Sequence, residues 1–206
     1  MKVAALYDVH AMPWALEAVL AEVEADAIVF GGDFLGGPFP EETVELMRSV
    51  EATLIRGNAD ESDPRFAALP LTAVLDGVTY CHATPTDNNP MTTAITPDDE
   101  VREAFGGASG TLVIGHTHHQ FDRRIGDLRV INAGSVGTAY EGEVAAFWTL
   151  VEDGEPTFCK TPFDIDRAVR ELRATDWENA QAFVDENLLV AVSRDEAIAA
   201  FEERRT

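Results

Sequence analysis

Seven side chains in this chain could hold cations, and their spacing is regular. Asp8, Asp33, Asn58, His82 and His116 each stand at or just past the end of a short apolar run, at intervals of 25, 25, 24 and 34 residues. His10 and His118 follow two residues after the first and last of them, so four of the five histidines are spent in this series. Taken singly, each has a plainer role. Asp8 could cap the following helix, Gly31-Gly32-Asp33 could be a simple turn, Asn58 could supply a left-handed residue, and His82 could be a satisfied core histidine. The coincidence of all seven at strand ends outweighs those separate readings. Nitrogen and oxygen donors without cysteine suit borderline or hard divalent ions such as Mn, Fe or Zn. Seven are too many for one tetrahedral site and fit two ions that share a carboxylate. Two ions about 3.5–4 Å apart can clamp the oxygens of a phosphoryl displacement and acidify a water.

The elements that must position these groups read as strands with helical crossovers. Lys2 to Tyr7, Ala27 to Phe30 and Thr53 to Ile55 are apolar runs separated by helical patterns near Pro13 to Val23 and Glu41 to Val50. This βαβαβ alternation predicts a largely parallel sheet whose strand ends share one edge. Three further pairs of β-runs flank Asp76-Gly77, Gly126-Asp127 and Asp153-Gly154, each a hairpin signal. The second half is therefore expected to be mainly antiparallel. Thr111 to Ile114 is the strand that delivers Gly115-His116-Thr117-His118. Beyond residue 163 the pattern turns helical, over residues 165–172, 180–189 and 194–203, with Ile165, Ala168, Val169 and Leu172 on one face. Two units follow, residues 1–163 and a C-terminal helical extension, 164–206, expected to pack on the first.

Composition narrows the function. The formal net charge is -22, from 37 acidic and 15 basic residues. That field opposes anionic membranes and stable binding to nucleic acid backbones. Only two of the basic residues are lysines, a balance that fits either a salt-rich interior or a codon bias. No apolar run approaches the roughly 18 residues of a membrane span. Met1-Lys2 leads directly into a strand, which argues against a signal peptide, and Cys81 and Cys159 are expected to be reduced. The expected compartment is the cytoplasm. The run His116 to Gln120 does not continue into the Asp-His of a metallo-β-lactamase, and the glycine pairs at 31–32 and 36–37 form no dinucleotide-binding loop.

The ordered series DVH, GGD, GNAD, CHATP, GHTH and NAGS resembles the calcineurin-like metallophosphoesterase family, and within it the small YfcE-like phosphodiesterases of bacteria and archaea. The likeness covers roughly Met1 to Pro162. It implies a four-layer αββα sandwich of two mixed β-sheets, the metallo-dependent phosphatase fold, in the mixed α/β (α+β) class. It implies that Asp8, His10 and His118 hold one divalent ion, that Asn58, His82 and His116 hold the other, and that Asp33 bridges both. Mn is the first expectation for the metal, with Fe, Zn or Ni as alternatives. The resemblance further implies attack on phosphorus by a hydroxide between the ions, with Asp33, Asn58 and His116 catalytic and Asn58 also binding substrate.

Three positions depart from that pattern. Ala59 stands where many members carry a histidine that assists the leaving group, although YfcE-like members also lack it. Ala11-Met12 follows His10 where Gly-Asn is common, and Ala83 follows His82 in place of glycine. The expected function is a dinuclear phosphoesterase acting on small phosphodiesters or nucleotides, a homo-oligomer being compatible with the sequence. The alternatives are a non-enzymatic interaction scaffold of the same fold and a metal-dependent protein phosphatase.

Overall fold

The first strand, β1 (Lys2–Leu6), shows how alternation in the sequence becomes two cores. Ala4 and Leu6 face a cluster that includes Trp14, Leu16, Val44 and Leu172, whereas Val3, Ala5 and the following Tyr7 face one that includes Val29, Tyr80, Val113 and Ile131. Successive side chains of a strand point to opposite faces, so β1 must be covered on both. The structure, a computed structural model, describes residues 1–205.

One sheet has the order β10–β9–β1–β2–β3, with β2 (Ala27–Phe30), β3 (Thr53–Leu54), β9 (Ala146–Glu152) and β10 (Glu155–Thr161). Strands β1, β2 and β3 run parallel, and β9 is antiparallel to both β1 and β10. Helices α1 (Pro13–Glu22) and α2 (Pro40–Arg48) cover its outer face, each opened by a proline whose missing N–H has no helical partner in any case. The other sheet has the order β4–β5–β6–β8–β7, with β4 (Thr72–Leu75), β5 (Val78–Cys81), β6 (Gly110–Ile114), β7 (Phe121–Ile125) and β8 (Leu128–Asn132). Helix α3 (Asp98–Ala104) closes its outer face through Val101 and a core of Leu112, Ile114, Leu128 and Val130. The layers are thus helix, sheet, sheet, helix.

The second half is mainly antiparallel, in the pairs β4–β5, β7–β8, β9–β10 and β1–β9, but the sheet of β4 to β8 has a parallel centre. The hairpin turns form where expected, but β5, β6 and β8 are parallel to one another at the sheet centre. The cause lies in burial. Every residue of β8 is buried, so it takes the interior position, and β7, with exposed Asp122 and Arg124, takes the edge. The site consequently lies where the C-terminal ends of two sheets meet, not along one sheet's edge. Tyr7 ties them together, its hydroxyl donating to the Val113 carbonyl at 2.9 Å across the intervening core.

Past β10, α4 (Ile165–Arg173) is capped by Asp164, whose carboxylate accepts the Arg167 N–H. Its Ala168 and Leu172 are buried in the cluster that also holds Trp14, Ala180, Val184 and Leu188, and α1 is tied to α4 where the Trp14 indole N–H donates to Glu171 and Arg167 pairs with Glu17. The helix expected over 180–189 is α5 (Ala180–Phe183) continued by a π-helical turn, Val184–Leu188. Helix α6 (Arg194–Arg205) then crosses to the other side, where Glu202 meets Thr93 and Thr96 and Arg205 pairs with Glu100. Among the described residues no helix is long and apolar enough to cross a membrane.

Candidate metal centre

All seven sequence-selected residues converge. Asp8 and His10 follow β1, Asp33 follows β2, Asn58 follows β3, His82 follows β5, and His116 and His118 follow β6. Strand-to-loop turns this tight impose a backbone cost. Asp8, His10, Ala11, Asp33, His116 and His118 all have positive φ, between 48° and 67°, and the only other such non-glycine residues described are the hairpin aspartates Asp76 and Asp153. Left-handed backbone concentrated in one place marks a geometry enforced by its surroundings. Two glycines permit the close approach. A Cβ on Gly57 would come within 2.1 Å of Asp33 Oδ1, and one on Gly115 within 2.4 Å of Asp8 Oδ2.

The side chains form two groups, Asp8–His10–His118 and Asp33–His82–His116, with the ligand atoms of each within 4.8 Å of one another. His10 Nδ1 lies 3.2 Å from the Leu35 carbonyl, His82 Nδ1 3.0 Å from that of Gly31, and His118 Nδ1 2.8 Å from that of Thr138. Each carbonyl can only accept, so each Nδ1 carries a proton and each Nε2 turns inward, where it can bind either a proton or a cation. His116 is reversed: its Nε2 meets the Asn89 carbonyl at 3.2 Å, leaving Nδ1 as the free donor atom. The inward atoms then face each other. His10 Nε2 is 3.1 Å from His118 Nε2, and His82 Nε2 is 3.1 Å from Asn58 Oδ1. Two acceptors at that distance are held together only by a proton or a cation between them.

The carboxylates are arranged to the same end. Asp8 Oδ2 accepts the His116 N–H at 2.9 Å and Asp33 Oδ1 accepts the Ala59 N–H at 2.8 Å. Each keeps one oxygen for the interior. Asp8 Oδ1 is buried, has no hydrogen-bond partner, and lies 3.3 Å from His118 Nε2 and 3.9 Å from the Nε2 atoms of His10 and His82. Asp33 Oδ2 lies 3.5 Å from His82 Nε2 and 3.9 Å from His10 Nε2, one nitrogen from each group. Burial alone would raise both carboxyls, but the imidazoles outweigh it: His118 and His82 lower Asp8, and His82 and His10 hold Asp33 well below the usual carboxylate range. Burial would depress His82, yet Asp33 and Asp8 push it up to about 9, and His118 is raised against burial by Asp8. Burial dominates at His10, which is lowered, and at His116, brought down to about 4. Two anionic carboxylates facing imidazole nitrogens, with an orphaned buried oxygen among them, are a donor set that two divalent ions would satisfy.

Sequence reasoning missed the residues that hold this set in place. Asp60 is fully buried and its carboxylate accepts four backbone N–H groups, from Gly57 at 3.0 Å, Asp33 at 2.7 Å, Phe34 at 3.0 Å and Leu35 at 3.3 Å. It joins the turn bearing Asp33 to the turn bearing Asn58. Burial raises its carboxyl to about 6 against those bonds. The Asn132 amide donates to the Gly115 carbonyl at 2.7 Å and to Thr117 Oγ1 at 3.0 Å, fixing the turn of His116 and His118, and Ser135 donates to the Asp8 carbonyl at 2.8 Å. The GNAD and NAGS runs contain these residues, which was the available signal. Met12 is wholly buried in the helix-side core, so it forms part of that packing. His119 is a structural neighbour: its Nδ1 lies 2.8 Å from the Thr117 carbonyl and its Nε2 accepts the Ala94 N–H.

Fold and site together define a two-sheet protein with a pair of metal-ligand groups at the sheet junction. The sequence matches the calcineurin-like phosphoesterase superfamily domain over residues 1–153, and the chain belongs to that superfamily. Among solved structures it is similar to a metallophosphoesterase from Sphaerobacter thermophilus, at 23% identity and a TM-score of 0.68, covering 84% of this chain and 93% of that one. It is also similar to YfcE, a phosphoesterase from E. coli, at 23% identity and a TM-score of 0.52, covering 80% of this chain and 100% of that one. Vps29 from Entamoeba histolytica, complexed with Zn, shares the fold at 19% identity and a TM-score of 0.51, over 80% of this chain and 100% of that one. No curated protein sequence matches the chain.

Proposed function

We propose that the chain is a dinuclear metal-dependent phosphoesterase, and that small phosphodiesters or nucleotides are its substrates. The observation that carries this reading is the inward-facing acceptor array: two close acceptor pairs beside the orphaned Asp8 Oδ1. Asp8, His10 and His118 would hold one ion and Asn58, His82 and His116 the other, with Asp33 between them through Oδ2. Mn suits these donors, as do Fe, Zn and Ni. When bound, such a pair supplies charge that polarises a phosphoryl group and acidifies water.

The protein's own residues do the rest. The backbone carbonyls of Leu35, Gly31 and Thr138 keep three imidazoles in one tautomer and one orientation. Asn58 turns Oδ1 toward His82, which leaves its amide N–H groups to donate to a phosphoryl oxygen. The acidic surface disfavours a highly charged substrate, and a phosphodiester carries a single charge.

The test is elemental analysis of the purified protein followed by assays on phosphodiesters, dinucleoside polyphosphates, phosphomonoesters and a phosphopeptide with added Mn. Hydrolysis of the diesters or nucleotides that depends on Mn supports the reading. Preference for the phosphopeptide would make the chain a protein phosphatase. Two bound ions with no hydrolysis of any ester would favour an interaction scaffold.

A further inference from the structure

One side chain outside the seven borders the centre with a polar group to spare. The Tyr140 ring stacks on that of His118, with centroids 5.1 Å apart and planes 19° from parallel. Its backbone N–H donates to the His118 carbonyl at 2.9 Å. Helix α6 fixes the ring from outside. Phe201 meets it at 6.1 Å between centroids, Arg194 binds Glu141, the next residue, and the Gly142 N–H donates to the Val192 carbonyl. The helix is itself anchored, because Glu202 accepts hydrogen bonds from Thr93 and Thr96 at 2.6 Å. Among the described residues, the contacts of the Tyr140 side chain are those of its ring, with His118 and Phe201. A half-buried phenol held this firmly by its ring has already lost rotamer freedom, and its hydroxyl is a donor placed at little further entropic cost.

The position of Ala59 adds to the case. A Cβ on Gly36 would lie 3.4 Å from Ala59 Cβ and 3.5 Å from His10 Nδ1, so both residues line the Gly36 turn. His10 and His118 are neighbours, with ring centroids 4.8 Å apart. Ala59 follows Asn58 and bonds Asp33 through its N–H, and Tyr140 lies on His118. Alanine has no side-chain donor to offer a bound oxyanion, and Tyr140 has one. The ring that carries this hydroxyl lies against the ring of a ligand histidine, 5.1 Å between centroids.

We propose that Tyr140 binds substrate, its hydroxyl donating a hydrogen bond to the phosphoryl group over the His10–His118 half of the centre while α6 holds the ring in place. The ligand class rests on the phosphoesterase reading above. Tyr140→Phe keeps the stack and removes the hydroxyl, and Phe201→Ala keeps the hydroxyl and loosens the ring. Both variants and the unmodified chain, loaded with Mn, are analysed for metal content, titrated with inorganic phosphate by calorimetry, and assayed on aryl phosphodiesters of graded leaving-group acidity. Tyr140→Phe should keep its metal and bind phosphate roughly tenfold more weakly, as expected for one lost hydrogen bond to a charged group. It should lose most rate on the poorest leaving groups, and Phe201→Ala should move in the same direction by less. Unchanged phosphate affinity and unchanged kinetics in Tyr140→Phe would overturn the proposal, as would loss of metal, which marks a structural role, or an unmodified chain that binds no phosphate. If the unmodified chain binds phosphate but hydrolyses none of the esters, the phosphoesterase reading falls and the phosphate titration alone decides the role of Tyr140.

Discussion

Asp8, His10 and His118 all sit at positive φ, at 52°, 48° and 54°, whereas in the other half Asp33 and His116 do so and Asn58 and His82 keep ordinary backbone. The supports differ in the same sense. His82 is wholly buried at the end of β5, and Asp60 ties the Asp33 and Asn58 turns through four short backbone contacts. The His10–His118 half leans on loop carbonyls and on Tyr140, itself held by a helix nearly two hundred residues from β1. One half is built into the sheet ends. The other is assembled from turns and closed by distant chain. The lesson is that two adjacent ion sites can have unequal preorganisation, and so unequal affinity, despite similar ligands.

That inequality can be broken from the middle outward. Asp33 offers one oxygen to a nitrogen of each half, so its loss should damage both. Asp33→Ala is expected to lower kcat by several orders of magnitude and to bring metal content down in both sites, with circular dichroism unchanged. Near-normal turnover would remove Asp33 from the shared position.

The sheet-anchored half is the one that Asp60→Ala should weaken. Four buried N–H groups would lose their acceptor, at a net cost of about 3 kcal/mol or more. For a chain of this size that corresponds to a fall in Tm of roughly 6–12 °C. Calorimetric unfolding measures it, and a shift below about 2 °C would show that water replaces the carboxylate without loss. Asn132→Ala should act more gently. It frees the turn that carries His116 and His118 without removing a ligand, and outer-shell losses of this kind typically weaken metal binding about 10–100-fold. Titration with Mn would read the change directly, and an unaltered affinity would assign the turn's shape to Gly115 and the backbone alone.

Much of this site was legible in the sequence because strand ends carry it. A polar residue that closes an apolar run must sit at a sheet edge, and a regular interval of about 25 residues means that the edges recur on one side. Which strands become neighbours was not legible. The Asp-Gly hairpin at 76–77 and the Gly-Asp hairpin at 126–127 are local events, whereas the parallel pairing of β6 with β8 depends on which strand buries more surface. Asp60 shows in the sequence only as the last letter of GNAD, because its burial arises from turns 25 residues away. Tyr140 gave no signal, since its importance depends on α6 returning across the molecule to meet it. The apolar stripe of Ile165, Val169 and Leu172 announced burial but could not say that it would join one cluster with Trp14, Val184 and Leu188.

The central claim is that two cations, and not one, satisfy the facing acceptors of this centre. Protein stripped with chelator and reconstituted with excess Mn should be passed through a desalting column and analysed for metal per chain. The account predicts a value approaching two equivalents, reached in two steps of unequal affinity, with the weaker step lost first in Tyr140→Ala. A ceiling of one equivalent at saturating Mn would contradict it.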